Sequence, residues 1–224
     1  MQKVSETRAS DSPFVQSVTR VRYTDNSADI EPPDGHWAIV VIKHHDQTRI
    51  LHTGTAAKPV NLHFEKDDEY IGISFKPSTF LSHLPAKQLV NVGMELPQAN
   101  KRNFWLANSA WEIPTFDNAE SLVDKLVEVG LLARDDIVDA ILNERPKAFS
   151  TRSIQRHFIE TTGITLKHFL QIQKASEAKN LLQTGNTPVE VALATGYYDQ
   201  AHMTNSLKRL LGKTPTEIIQ SGIK

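Results

Sequence analysis

Two short segments in the last third of the chain carry side chains that can form hydrogen bonds with the edges of nucleic-acid bases. Arg152 and Arg156 can each present a guanidinium fork to guanine. Gln155, Gln200 and Asn205 carry amides that can bond adenine bidentately. A single arginine on a helix surface is often only a salt-bridge partner. A base-contacting role for these residues therefore depends on the secondary structure that carries them.

The clearer scaffold lies between residues 187 and 211, where the pattern predicts two helices around a tight turn. Thr187 can cap the first helix, ahead of a proline in its first turn and a glutamate three residues on. Gly196 can adopt the left-handed conformation that ends a helix, and Asp199 can cap the next helix, 200–211. Two helices around such a turn indicate a helix-turn-helix unit, whose second helix enters a major groove.

An earlier copy begins with a predicted helix over 151–161, which stops at Gly163. Thr165 can cap a long amphipathic helix that continues to Gly185. At about 1.5 Å per residue this connecting helix spans roughly 27 Å, close to the roughly 34 Å between successive major-groove faces of a duplex. One chain could therefore address two adjacent grooves.

The connection before the first recognition helix is longer than a tight turn. Residues 143–149 separate a predicted supporting helix, 135–142, from Ser150. Because proline disfavours a helical residue before it, Pro146 predicts that the supporting helix stops near Glu144. The first recognition helix is expected to lie at an unusual angle.

Two ordered motifs carry a family resemblance. They are Ser150-x-Arg152-x-Ile154-x-Arg156-x-Phe158 and Ala192-x-x-x-Gly196-Tyr197-x-Asp199-Gln200-x-His202-Met203-x-x-x-Leu207-Lys208-Arg209-x-x-Gly212-x-Thr214-Pro215. From roughly 135 to 220 the sequence resembles the AraC/XylS family of bacterial transcription regulators. This resemblance implies a domain of seven helices with two helix-turn-helix units and recognition helices over 151–161 and 200–211.

The resemblance also implies roles for single side chains. The positions expected to contact bases are Arg152, Gln155, Arg156, Gln200, Ala201 and Asn205. The positions expected to contact phosphates are Ser150, Thr204, Lys208, Arg209 and Lys213. Asn205 departs from the basic residue common in the family, and His157 and His202 are expected to have no acid–base role.

The N-terminal half shows strand-like alternation instead. The predicted strands are Phe14 to Tyr23, Trp37 to Lys43, Thr48 to His52, Val60 to Phe64 and Tyr70 to Phe75. Helical segments are predicted at Ser78 to Leu84, Pro85 to Val90 and Asn118 to Val129. The segment from Gly72 to Pro85 resembles a subset of the same family whose N-terminal domain is small and uncharacterised.

Together these patterns predict an α+β chain of two domains. A small antiparallel sheet or half-barrel, cupin-like and with flanking helices, precedes an all-α double helix-turn-helix domain. The expected boundaries are a disordered tail over 1–13, a sensing or dimerisation domain over 14–116 and a DNA-binding domain over 117–224.

Charge is divided between the two halves of the chain. Residues 1–144 carry 14 basic and 21 acidic side chains, a net charge of -7, whereas residues 145–224 carry 11 basic and 5 acidic, a net charge of +6. A basic lobe is the electrostatic footprint of phosphate binding, and the acidic lobe would be repelled by a duplex. Composition alone also fits lysines and arginines that merely solvate helix faces.

The cysteine, histidine and tryptophan content limits the kinds of functional site that the chain can form. The chain has no cysteine, which excludes disulfides, thiolate nucleophiles and cysteine-ligated metals. His36, His44, His45, His52 and His63 crowd the strand region, yet the cupin His-x-His pattern followed by glutamate is missing, so neither a metal nor another cofactor is expected. Trp37, Trp105 and Trp111 are expected to fill the core rather than line a ligand pocket.

Three classes of function follow. The first is a sequence-specific transcription regulator, and the second is a helix-turn-helix module that binds DNA without sequence preference or binds protein. The third, a DNA-repair enzyme with an AraC-like domain, would need a cysteine acceptor, so we expect no enzymatic activity. Double-stranded DNA is the expected partner; a small-molecule effector, RNA polymerase and a second copy of the chain remain open.

No run approaches the roughly 18 apolar residues that a membrane span requires, and the first thirteen residues show no secretory pattern. We therefore expect a soluble, cytoplasmic chain without a membrane partner.

Overall fold

A computed structural model describes residues 3–145 and 149–222. The strands within these ranges are β1 Lys3–Ala9, β2 Val15–Tyr23, β3 Ser27–Glu31, β4 Ala38–His44, β5 Gln47–Thr53, β6 Val60–Phe64, β7 Glu69–Phe75, β8 Thr79–Leu81, β9 Gly93–Leu96, β10 Gln98–Asn100, β11 Asn103–Leu106, β12 Ser109–Glu112 and β13 Leu132–Arg134. The helices are α1 Ala86–Leu89, α2 Ala119–Glu128, α3 Asp136–Leu142, α4 Thr151–Thr162, α5 Leu166–Gln183, α6 Pro188–Ala194, α7 Gln200–Leu211 and α8 Pro215–Gly222. The predicted α+β architecture, with a sheet-rich N-terminal region and a helical C-terminal region, is confirmed.

The largest sheet is open and antiparallel. Its six strands are ordered β1-β2-β7-β4-β5-β9, so the two edge strands, β1 and β9, do not pair with each other. On β7, Ile71, Ile73 and Phe75 alternate along the strand and belong to the N-terminal core. On β4, Ile39 and Val41 belong to the same core, and Val40 between them is buried as well. The five strands predicted from alternation correspond to β2, β4, β5, β6 and β7.

Two predictions about N-terminal secondary structure were wrong. The expected disordered tail contains β1, which pairs with β2 along its whole length and is tied to α2 by the Arg8–Glu120 ion pair, with an N–O distance of 2.6 Å. Its polar sequence gave no core signal because an edge strand can expose both faces. The predicted helix over 78–84 is replaced by β8, which pairs with β13 and accepts a hydrogen bond from Trp37 at the Thr79 carbonyl.

Two separate cores divide the chain. The N-terminal core includes α2 and β13, whose Leu122, Leu126 and Leu132 are buried with the sheet residues. The C-terminal core begins at Val138. The chain therefore passes from one core to the other between Leu132 and Val138. The boundary expected from the sequence placed α2 in the DNA-binding domain. We propose instead that the domain boundary lies between Leu132 and Val138.

The three tryptophans do not share one environment. Trp37 and Trp111 are buried in the N-terminal core, as expected. Trp105 is 46% exposed, which contradicts the core prediction. It lies on β11 between Phe104 and Leu106, and because neighbouring residues of a strand point to opposite faces, burying those two turns Trp105 outward.

The N-terminal domain rests on the helices α4 and α5. Gln173 donates to the Asp34 carbonyl at 2.9 Å, and the His168 Nε2 lies 3.2 Å from the Ala57 carbonyl oxygen. Gly35 lies so close to the Phe169 ring that a Cβ there would be 2.7 Å from it. Beside these contacts a cleft of about 640 Å³ opens between the domains, lined by residues of both.

Across the described ranges no helix is both long and apolar enough to cross a membrane. In the same part of the chain no group of three histidine or acidic side chains is placed to hold a metal ion. The strand-region histidines lie apart: His44 bonds Asp68 at 2.6 Å, whereas His52 is buried against Trp37.

His52 is an ionisable group enclosed in the N-terminal domain. It is 4% exposed, and its Nδ1 has no hydrogen-bond partner among the described residues. Burial lowers the pKa of His52 to about 4. The unfolded chain, in which histidine titrates near 6.5, therefore binds the proton first as the pH falls.

We expect this histidine to make folding acid-sensitive. The contribution is complete above about pH 6.5 and is lost toward pH 4, by up to about 3 kcal/mol in the free energy of unfolding. His52→Phe keeps a ring against Trp37 without a titrating group. Urea unfolding at about pH 7 and about pH 4 should show a smaller acid loss in this variant. The exposed His63→Gln should behave like the unmodified chain; equal losses for His52→Phe and the unmodified chain would contradict the assignment.

Candidate nucleic-acid interface

The second helix-turn-helix unit consists of α6 and α7. The predicted capping box is present: the Glu190 N–H donates to the Thr187 hydroxyl, and the Glu190 carboxylate accepts from the Thr187 N–H. Gly196 has a φ of +68° and turns the chain out of α6. Asp199 then caps α7 by accepting from the His202 N–H at 2.6 Å. Each local signal thus performs the task predicted from the sequence.

The turn of this unit is fixed to its surroundings by Tyr197. Its ring is buried, and its hydroxyl lies 3.2 Å from the Ser206 hydroxyl on α7. The Lys174 ammonium group of α5 lies 4.2 Å from the ring centroid and donates to the Gly196 carbonyl. These contacts hold the second recognition helix against the connecting helix.

The first unit consists of α3 and α4. The supporting helix ends at Leu142, and Glu144 has a positive φ of 50°, which confirms the predicted stop. Ser150 caps α4 by accepting from the Ser153 N–H at 3.1 Å. The predicted long turn includes residues 146–148, which lie outside the described residues, so the unusual angle stays a prediction.

Both recognition helices match their predicted bounds closely, with α4 one residue longer. In the described ranges six helices follow the junction at residue 135, whereas the family resemblance implied seven. The connecting helix α5 has 18 residues, so the length of roughly 27 Å also holds.

The residues predicted to contact bases are all exposed, with the N-terminal domain in place. They are Arg152, Gln155 and Arg156 on α4 and Gln200, Ala201 and Asn205 on α7. The opposite faces are fully buried, through Phe158 on α4 and Met203 and Leu207 on α7. Each recognition helix therefore presents a polar face to solvent while its apolar face fixes its orientation.

The residues predicted to contact phosphates differ in what they can offer. Lys208 and Arg209 are exposed, and Lys213 is half-buried. The Ser150 oxygen accepts as the cap of α4, so its hydroxyl proton remains able to donate. The Thr204 hydroxyl donates to the Gln200 carbonyl at 2.8 Å, and must rotate before it can donate to a phosphate.

The basic side chains of the two recognition helices are not neutralised by ion pairs within the described residues. Within the described part of the chain, no carboxylate lies within salt-bridge distance of Arg152, Arg156 or Lys208. Arg209 lies 3.4 Å from an amide oxygen of Gln171, which leaves its charge uncompensated. An anionic ligand on this face would therefore meet free cations.

Two residues of the first unit were missed as partners. Asp135 caps α3, and its second carboxylate oxygen lies 2.7 Å from the His157 Nδ1 on α4. Although burial opposes ionisation, the Val138 N–H and the His157 ring together hold the pKa of Asp135 below its usual range. The sequence signals the cap, but nothing in it signals the contact with a residue one helix away.

Comparison with known proteins agrees with this geometry. The helix-turn-helix domain family matches residues 148–221. The HTH-type transcriptional activator RhaR of Enterobacter sp. (strain 638) is 29% identical over 111 residues, which are 48% of this chain and 39% of that protein. The uncharacterized HTH-type transcriptional regulator YbfI of Bacillus subtilis (strain 168) is 35% identical over 55 residues, 25% of this chain and 20% of that protein. The chain thus spans about two fifths or less of these relatives.

Solved structures of ToxT from Vibrio cholerae show a more distant likeness. One covers 98% of this chain and 97% of ToxT with a TM-score of 0.40 and 10% identity. Another, bound to (E)-4-(8-methylnaphthalen-1-yl)but-3-enoic acid, has a TM-score of 0.41. The matched region, its two units and their capping residues support one identification: the C-terminal region of the chain is a helix-turn-helix domain of the AraC type.

Proposed function

We propose that this chain is a sequence-specific DNA-binding transcriptional regulator in which α4 and α7 enter adjacent major grooves of one duplex. The observation that carries the proposal is the pair of exposed hydrogen-bonding faces on helices whose opposite faces are buried. Major-groove reading needs side chains of this kind on a rigid helix.

Charge supports the same function. The basic residues of the C-terminal half supply sequence-independent attraction to phosphates, and the acidic N-terminal half is kept away from the duplex by the same field. The side chains on the two polar faces would then discriminate among base pairs.

The alternative is a module that binds DNA without sequence preference or binds another protein. The same basic surface would serve non-specific binding, because that depends on phosphate contacts alone. The two functions differ in a measurable way: only the regulator loses binding when particular base pairs are changed.

Regulation would act through the contact between the domains. The N-terminal domain touches α5 through Asp34 and Ala57, and the cleft of about 640 Å³ beside these contacts falls in the size range of small-molecule sites. A ligand in the cleft, or a second copy bound to the N-terminal domain, would change the contacts to α5. RNA polymerase would be the further partner of an activator.

The base-reading role is tested by selecting bound duplexes from a random library. We expect the selected duplexes to share two short base-pair sequences, called boxes below, about one helical turn apart. Arg156→Ala should relax only the box read by α4, and Asn205→Ala only the box read by α7, each with a loss of about 1–3 kcal/mol in binding free energy on the selected duplex. No enriched sequence, or an equal loss on every duplex, would favour the non-specific module.

Lys208→Gln tests the phosphate role separately. Because a phosphate contact carries no sequence information, we expect a similar loss of affinity on all duplexes. The slope of log affinity against log salt should fall by about one. Glu177→Gln on the exposed side of α5 is the control and should leave the slope unchanged. A loss for Lys208→Gln on one sequence only would contradict the phosphate assignment.

Coupling between the domains can be tested without a known effector, because binding linkage is reciprocal. If the N-terminal domain influences DNA binding, duplex binding must alter the N-terminal domain. We expect hydrogen exchange at the Gly35 and Ala57 amides, which bond Ala56 and Asn91, to change when the selected duplex is added. Unchanged exchange at both amides would contradict regulation through this interface.

A further inference from the structure

Asp135 joins three parts of the molecule. Its N–H donates to the Ser78 carbonyl at 2.8 Å, which ties it to the N-terminal domain. One carboxylate oxygen accepts from the Ile137 and Val138 N–H groups and caps α3. The other faces α4, where it lies 2.7 Å from the His157 Nδ1 and accepts from the Thr161 hydroxyl at 3.2 Å.

The Asp135 carboxylate determines which nitrogen of a neutral His157 ring carries the hydrogen. An ionised carboxylate has no proton to give, so the His157 Nδ1 must carry the hydrogen of their 2.7 Å bond. In the neutral ring the Nε2 then keeps a free lone pair. Only 13% of the Asp135 side chain and 23% of the His157 side chain are exposed, so solvent competes weakly for this bond.

The free lone pair points toward a candidate base reader. The Arg156 Nη2 lies 3.4 Å from the His157 Nε2. A guanidinium is always a donor, so this nitrogen can only accept from it. At that length the contact is weak, and its effect is to favour one orientation of the guanidinium fork rather than to add much binding energy.

We propose that Asp135 and His157 are positioning residues that orient the Arg156 guanidinium for base reading. The proposal rests on the proposed function of Arg156. It makes sequence preference in the first box depend on the Asp135 carboxylate, and the backbone N–H of the same residue is bonded to the N-terminal domain. The second unit differs: in the described structure His202 packs edge-on against Tyr197, with ring centroids 5.3 Å apart, and is not bonded to an arginine.

Three variants separate orientation from mere packing. His157→Leu removes both contacts, whereas His157→Gln keeps one donor for Asp135 and one acceptor for Arg156. Asp135→Asn can still cap α3. Its amide would donate to the Nδ1, which moves the ring hydrogen to the Nε2 and removes the acceptor for Arg156.

The test is library selection and titration with the duplex chosen by the unmodified chain. We expect His157→Leu and Asp135→Asn to relax preference at the same base pairs as Arg156→Ala, with a loss of about threefold to tenfold on that duplex. His157→Gln should restore most of the preference. The second box should be unaffected, and the matched control His202→Leu should leave the first box unchanged.

A spectroscopic measurement adds a readout that packing alone does not determine. Imidazole ¹⁵N shifts at neutral pH should show His157 with its hydrogen on Nδ1 and none on Nε2. A hydrogen on Nε2 would overturn the proposal. Unchanged preference in His157→Leu would also overturn it, as would an equal loss on all duplexes, because an effect on base reading must depend on the sequence. If Arg156→Ala itself leaves preference unchanged, the proposed base-reading function fails first.

Discussion

Both recognition helices depend on the burial of one stripe of the connecting helix α5. Its residues Phe169, Ile172, Ala175, Ala178 and Leu182 are almost completely buried, and the helix contacts α4, α6, α7 and α8. The two alanines allow close approach of neighbouring helices, while the larger side chains fill the core on either side. A rigid rod of roughly 27 Å then sets the separation of two polar faces that lie far apart in sequence.

The contact between the N-terminal domain and the helices α4 and α5 also constrains the first recognition helix, and it leaves the candidate DNA-binding surface uncovered. The N-terminal domain contacts α4 and α5, and all the candidate base readers remain exposed. Gly163, which ends α4 with a φ of +77°, lies against α1, where a Cβ would approach the Val90 side chain to 2.5 Å. The end of the first recognition helix is therefore a part of the domain interface, and a change there would reach the helix directly.

The features predicted correctly from the sequence are those that depend on neighbouring residues. Thr187, Thr165 and Asp199 cap helices, and Gly163 and Gly196 end or turn them, because those tasks depend on a few neighbouring residues. The predictions that failed concern residues whose partners are distant in the sequence. β1 is ordered by pairing with β2 and β8 by pairing with β13, and neither contact leaves a period in the sequence. The Asp135–His157 bond joins residues 22 apart and was missed for the same reason.

If one rigid chain reads two boxes at a fixed spacing, binding must depend on the distance between the boxes. Affinity would be measured for the selected duplex with about 5 and about 10 base pairs inserted between the boxes. We expect both insertions to reduce affinity to that of a duplex with one intact box, because α5 cannot lengthen. Full affinity at every spacing would contradict it and would indicate units that bind independently or without regard to sequence.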